Sequence, residues 1–253
     1  MTTILLIDAD LTAYAASRIP KKYDPEGYAR SEEQVEANCE SWLHGLFYEI
    51  ETKYGYTPTH FKLFLEGHNN FRRFIYHGYK SHRRQRERPP MLKYAKEYLI
   101  KHYNAWVSEG VESDDVIAAT WKAIRELNRD VRVIVCSADR DLRAIPCLLY
   151  NTHHNSRELH QITKEEALHN FYRSLLVGDK EDSIEGLHAI GETKADRILE
   201  GLLTKNQMLR RVYREYIKHY GRKARRKFEL NYLLLKLVVD GINIPTEFEE
   251  IKF

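Results

Sequence analysis

Cysteine is scarce in this chain. Cys39, Cys136 and Cys147 are the only three, an odd number with no Cys-x-x-Cys spacing. That excludes a disulfide-stapled scaffold and a thiolate zinc site, and it reads as reduced thiols in a cytoplasmic protein. Long apolar runs are missing as well: none approaches the ~20 residues that a membrane helix needs, so no membrane partner is expected. The N-terminus enters ILLID directly, with no basic leader or cleavage site, and no secretory signal is expected. Internal repeats and low-complexity tracts are absent. His153, His154 and His160 lack ligand spacing and read as surface groups or as groups standing behind a site.

The 253 residues suffice for one large core, or one core with a small appendage. A hydrophobic content of 43% with 30% charged residues reads as soluble and globular. The formal net charge of +3 hides strong segregation: residues 72–101 carry a net +8 and residues 205–227 a net +9, so the remainder is acidic. Either basic block alone could be a solvated helix face. Two of them beside an acidic body favour a polyanion held by the cations, with metal neutralising the acids.

The densest β-branched run is Val131–Val135, followed by small Cys136, Ser137 and Ala138 and then by Asp139 and Asp141. This pattern reads as a strand buried on both faces that ends in two carboxylates. Other strands are expected at Thr3–Ile7 with Asp8 as exit, Phe61–Leu65 ended by Glu66, Ala105–Ser108, and Leu148–Thr152. Helices are expected between them. A capping box, Ser31 with Gln34, opens one that runs to about Lys53, with Ala37, Trp42, Leu43, Leu46, Phe47 and Ile50 as its apolar stripe. Pro89 and Pro90 open another, to about His102. Ser113 reads as an N-cap, with Asp114 and Asp115 in a first turn whose macrodipole they complement. Thr163 with Glu166 caps a helix to Val177; further helices start near Thr193, span 205–220 and run from Phe228 to Val239. Asp10 is well explained as a cap for LTAYAA, Asp8 less well.

Asp8, Glu66, Glu112 and Asp139 thus lie at or just beyond strand ends that helices separate. Right-handed crossovers bring such ends to one edge of a mainly parallel sheet. Asp114, Asp141, Asp179 and Asp182 reach the same place from adjoining turns. So many carboxylates repel one another unless hard cations share the cleft, and an all-oxygen donor set points to Mg²⁺, with Mn²⁺ as substitute. Two such ions ~3.5–4 Å apart serve phosphodiester cleavage. In residues 68–88, Arg72, Arg73, Lys80, Arg83, Arg84, Arg86 and Arg88 alternate with Phe71, Tyr76 and Tyr79, a pattern that suits phosphates and unpaired bases. Gly186–Gly191 reads as a Gly-bracketed helical hairpin whose turn presents N–H groups to a phosphate.

The ordered set of acids resembles the bacteriophage branch of the 5′-nuclease family, which includes flap endonucleases and 5′→3′ exonucleases, over nearly the whole chain. GVESDD is similar to its Glu-x-Asp-Asp motif, SADRD to its Asp-x-Asp, and Gly178-Asp179 with Asp182 to its Gly-Asp-x-x-Asp. The resemblance implies ligand roles for Asp8, Glu112, Asp114, Asp139, Asp141, Asp179 and Asp182. Asp115 would stand behind them, and Glu66 occupies a place where the family usually has Asp. Tyr79-Lys80-Ser81-His82-Arg83 is similar to the Tyr-Lys-x-x-Arg at the foot of the family's helical arch. Lys80 and Arg83 would then contact the scissile phosphate, Tyr79 would be a stacking platform, and Arg72 and Arg84 further DNA contacts. Gly186–Gly191 resembles the helix–three-turn–helix that grips duplex DNA, often with K⁺. Here Ala189 replaces a common Gly and the expected Lys appears only at Lys194. Arg222, Lys223 and Arg225 would add backbone contacts.

The implied fold is α/β: a mainly parallel central sheet flanked by helices (a PIN-like 5′-nuclease core), with a helical arch and a C-terminal helix–three-turn–helix DNA-binding region. The expected division is a core at 1–177, including a basic arch at 68–102, and the helical region at 178–253. The implied activity is Mg²⁺-dependent hydrolysis from the 5′ end of DNA on ends, flaps, nicks or RNA-primed duplex. A monomer is expected, in the host bacterium's cytoplasm if phage-encoded. Two rivals stay open. A PIN-type ribonuclease would need neither the arch nor the hairpin, and a catalytically silent junction-binding protein would be marked by lost ligands, none of which is lost outright.

Overall fold

Short β-branched strands alternate with amphipathic helices, and that alternation builds a parallel sheet. The computed structural model describes residues 2–82, 87–127 and 130–246. Its main sheet contains β1 (Thr3–Asp8), β2 (His60–His68), β3 (Trp106–Glu109), β4 (Arg132–Ser137), β5 (Leu148–Asn151) and β6 (Leu159–Gln161), in the order β3-β2-β1-β4-β5-β6. The first five strands are parallel and β6 is antiparallel to β5. β1 is central: Ile4, Leu5, Leu6 and Ile7 are fully buried, as expected for a strand covered on both faces. β6 was not expected from sequence; it is three residues long, too short to show an alternating pattern.

One face is covered by α1 (Ala9–Ala16), α2 (Glu32–Tyr54) and, after the single-turn α3 (Phe71–Ile75), α4 (Leu92–Tyr103); α1, α2 and α4 pack on Leu5, Ile7, Leu63 and Leu65. The other is covered by α5 (Ser113–Leu127), packed on Ile4, Leu6, Phe64, Val133 and Val135. The Ser31–Gln34 capping box of α2 is present. The buried stripe of α2 differs at its start: Val35 and Cys39 face the core while Ala37 is exposed. Val35 and Cys39 are four residues apart and share a face of the helix, which Ala37 between them does not.

A third apolar cluster joins α6 (Lys164–Val177) to α7 (Glu192–Leu199), α8 (Lys205–Tyr220) and α9 (Ala224–Leu235). α6 thus bridges the two parts of the chain: it shares this cluster with the C-terminal helices and packs on the 3-10 turn Asp141–Ala144 that follows β4. Helix α9 starts earlier and ends earlier than the Phe228–Val239 expectation. Ala224 is buried and begins it, whereas Lys236 is already extended and the Val238 N–H donates to Asp115 Oδ1 at 2.8 Å. The following segment folds back over α5, where Leu237, Val239, Ile242 and Ile244 join the apolar cluster.

Candidate active site

Because β1 to β5 run parallel, their carboxyl ends share one edge, and the acids collect there. Asp8 closes β1 and also caps α1, its Oδ1 accepting the Asp10 N–H at 3.2 Å. Asp10, expected as that cap, lies inside the first turn instead. The Ser137 hydroxyl at the end of β4 donates to Asp8 Oδ2 at 3.0 Å and accepts the Asp139 N–H at 3.0 Å. Asp139 Oδ1 in turn accepts the Asp141 N–H at 2.9 Å. A single serine thus ties the ends of two neighbouring strands to three of the carboxylates.

Glu112 and Asp114 arrive at the N-terminus of α5. Ser113 is the first helical residue rather than the cap; Asp115 turns back and accepts the Glu112 N–H at 3.0 Å. Asp179 and Asp182 belong to a tight antiparallel pair, β7 (Gly178–Asp179) and β8 (Ile184–Glu185), and Asp179 Oδ1 accepts the Asp182 N–H at 3.0 Å. A Cβ at Gly186 would stand 2.2 Å from the Val177 carbonyl carbon, so glycine is required for that pair to close. Gly186 is a packing residue here. Gly191 caps α7 with open space around it, and Lys194 Nζ donates to the Ala189 carbonyl at 3.2 Å. Ala189 itself has φ +57°, the left-handed conformation for which the family's glycine is suited.

The acids perturb one another. Burial, then Asp10 and Asp139, raise the Asp8 carboxyl to about 7. Burial and the charges of Asp139, Asp8 and Glu112 hold Asp114 well above the ordinary carboxylate range, and burial with Asp139, Asp182 and Asp179 does the same to Asp141. Glu66 is raised by burial, with Lys80 opposing. Glu112 is the exception. Burial pushes it up, but Lys80 and Arg72 outweigh that and leave it below the ordinary range.

Arg72, Tyr79 and Lys80, all expected to touch DNA, are buried, and the first two have no face left for it. Arg72 is 2% exposed; its guanidinium pairs with Asp115 at 2.6 Å and donates to the Leu234 and Lys236 carbonyls at 2.9 Å each. Its donors are satisfied, so it bolts the C-terminal segment to α5 and has no free face for a phosphate. Tyr79 is 1% exposed, with its hydroxyl 2.8 Å from Glu112 Oε2 and 2.6 Å from Asp182 Oδ2, so no ring face is open for stacking. Lys80 is 7% exposed and ion-paired with Glu112, with Asp182 Oδ2 at 3.7 Å. Burial works against its charge, but Glu112, Asp182 and Glu66 prevail and raise its proton affinity. The expectations for Arg83 and Arg84 lie outside the described residues. Arg222, Lys223 and Arg225 are exposed at the α8–α9 junction, Arg225 paired with Glu229 at 2.8 Å.

Sequence reasoning missed Asp10 and Lys96 as site residues. Asp10 Oδ2 accepts the Glu66 N–H at 2.6 Å, and Lys96 of α4 pairs with Asp10 while its Nζ lies 3.4 Å from the Glu66 carbonyl. The available signal was the Asp8-Ala9-Asp10 spacing, read as a helix cap.

The donor set suits divalent cations. Asp114 Oδ1 is buried with no hydrogen-bond partner, an uncompensated acceptor aimed into the cluster. Among the described residues no three acidic, histidine or cysteine side chains converge on one point. Mg²⁺ keeps several waters and takes only one or two protein carboxylates per ion, so no closed cage is required.

A mostly parallel sheet thus gathers carboxylates at one edge, beside a buried lysine, in a chain that also carries basic helices. The family model of the 5′-3′ exonuclease N-terminal, resolvase-like domain matches residues 3–171, and the chain belongs to that family. Among solved structures, the bacteriophage T5 flap endonuclease in a pseudo-enzyme-product complex with DNA and metal ions superimposes with a TM-score of 0.67 at 15% identity, covering 93% of this chain and 89% of that one. The bacteriophage T5 5′-exonuclease with bound zinc ions gives 0.63 at 16%, covering 93% and 90%. No curated protein sequence matches the chain.

Proposed function

We propose that this nuclease hydrolyses phosphodiester bonds from the 5′ end of DNA with Mg²⁺, as a 5′→3′ exonuclease, a structure-specific flap endonuclease, or both. The observation that carries this reading is the gathering of buried Asp114 with half-buried Asp8, Asp139 and Asp141 at the edge where Lys80 also sits; the proton affinities of Asp8, Asp114 and Asp141 are raised there. Asp8, Glu112, Asp114 and Asp139 would surround one divalent ion and Asp141, Asp179 and Asp182 a second, one or two of them in direct contact with each ion and the rest, Glu66 included, reaching it through bound water. The chemistry supplied by such ions when bound is activation of water and stabilisation of the leaving oxygen.

The rest falls to the chain's own groups. Lys80 holds a permanent positive charge in a buried place, where a phosphate oxygen is attracted more strongly than in water. The Tyr79 hydroxyl keeps Glu112 and Asp182 in fixed relative positions, and Asp10 does the same for the Glu66 backbone. The returning C-terminal segment packs on α5 and is tied to it through Arg72 and Asp115, which fixes the helix start that carries Glu112 and Asp114. The α8–α9 cations give sequence-independent affinity for the backbone, consistent with a substrate chosen by structure rather than by base. RNA primers annealed to DNA meet the same requirements.

Labelled flap, nicked, blunt and RNA-primed substrates incubated with Mg²⁺ test this reading. Short 5′ products from flaps or ends are expected. Cleavage confined to single-stranded RNA would favour a ribonuclease instead.

A further inference from the structure

Behind the wall formed by Asp141 and Asp179 lies a second cavity of about 350 Å³. It adjoins the larger one, about 690 Å³, that runs from Asp139 to the turn at 189–192. Arg140 and Arg143, on the 3-10 turn after β4, and Arg173, on α6, line the smaller cavity together with Asp141, Asp179 and Glu192. Three arginines, Arg140 exposed and Arg143 and Arg173 half-buried, thus border one small space, and like charges gathered there need a reason to stay.

Neutralising the neighbouring acids is not that reason. Among the described residues none of the three arginines forms an ion pair with Asp141, Asp179 or Glu192. Arg173 instead reaches Asp196 of α7 at 3.7 Å, too long for a hydrogen bond. Cations and carboxylates thus occupy one cavity without closing on each other. The frame that holds them is fixed: the Arg143 N–H donates to the Arg140 carbonyl at 3.0 Å, and Asn170 Nδ2 of α6 donates to the Arg143 carbonyl at 3.1 Å. The turn and α6 are therefore tied together, and the guanidiniums start from a preorganised backbone.

We propose that Arg140, Arg143 and Arg173 form a phosphate subsite that holds a second phosphate of the nucleic acid, adjacent to the one being cleaved; this rests on the nuclease reading above. Guanidinium forks match phosphate oxygens bidentately. The carboxylates on the shared wall would repel a phosphate if uncompensated, so the subsite fills only when the adjoining acids are compensated. That links occupation of the pocket to a cleavage-ready site. The phosphate is either an internal diester of the strand or a terminal 5′-monophosphate, and the two sources are distinguishable.

The test is a binding titration in Ca²⁺ with flap oligonucleotides that carry one neutral methylphosphonate linkage at successive positions, and with flaps ending in 5′-phosphate or 5′-hydroxyl. Arg143→Gln/Arg173→Gln is compared with wild type after thermal melts confirm folding. In wild type, one neutral position weakens binding on the order of tenfold, the usual scale for a charge-assisted contact. In the double variant that penalty disappears while penalties elsewhere persist, and Arg143→Lys restores part of it. If the penalty that disappears is that of the 5′-hydroxyl, the ligand is the terminal phosphate. Equal penalties in wild type and variant at every position would overturn the proposal. Because binding is read without turnover, absence of cleavage in Mg²⁺ would count against the nuclease reading alone.

Discussion

Asp114 shows at single-residue scale what the site costs the fold. It is buried, its Oδ1 has no partner, and three other acids act on it. An acid whose folded proton affinity is raised binds more protons folded than unfolded between the two values. Stability of the ion-free protein should therefore fall as pH rises from about 4, the ordinary carboxylate value, through about 7, where Asp8 loses its proton in the folded state. Asp114→Asn removes one charge from this group, so the ion-free variant should melt higher than wild type at pH 8, with a flatter pH profile, and should not cleave. A lower melting temperature would contradict the electrostatic account. Lys80 is the opposite case. Lys80→Ala strips Glu112 of its nearest cation but leaves Arg72 at 3.7 Å and the Tyr79 hydroxyl at 2.8 Å, so the loss should fall below the about 3–5 kcal/mol typical of a buried pair broken outright. The chemical step should slow by ~10²–10³, as for loss of one transition-state donor, while duplex affinity falls little. Single-turnover kinetics beside a Ca²⁺ binding titration separates these effects; a near-normal rate constant would remove Lys80 from the reaction.

At the scale of elements, much was legible and the failures have physical causes. Capping boxes at Ser31, Thr163 and Thr204 are local and need no tertiary information; the first two mark α2 and α6 correctly, and the basic helix over 205–220 forms as read. The strand-end acids were legible because short apolar runs, β-branched in β1 and β4 and Phe/Leu-rich in β2, ended in them. Arg72 and Tyr79 misled because composition cannot distinguish a cation that faces solvent from one that faces Asp115 across 43 residues of chain. Asp10 was hidden because a cap and a ligand-positioning carboxylate share one local pattern. Ala189 holds φ +57° in the hairpin turn, and a left-handed residue with a side chain costs roughly 1–2 kcal/mol over glycine. Ala189→Gly should therefore raise stability by about 1 kcal/mol in denaturant melts without loss of DNA affinity. A destabilised variant would mean that the methyl group makes a packing contribution larger than the backbone strain.

At the scale of the whole molecule, charge is divided between an acidic edge and basic helices, and that division gives each half its own experiment. If the α8–α9 junction grips the backbone, Arg222→Ala, Lys223→Ala and Arg225→Ala together should flatten the salt dependence of duplex binding by about 0.9 in log–log slope per lost contact, with the saturated cleavage rate unchanged. An unchanged slope would make that junction a solvated face. The acidic edge is the central claim, and the direct measurement is single-turnover cleavage of a labelled 5′-flap by the wild-type chain, once in excess EDTA and once after Mg²⁺ is restored. The account predicts no product in EDTA and cleavage near the flap junction on addition of Mg²⁺. Undiminished cleavage in EDTA would contradict it.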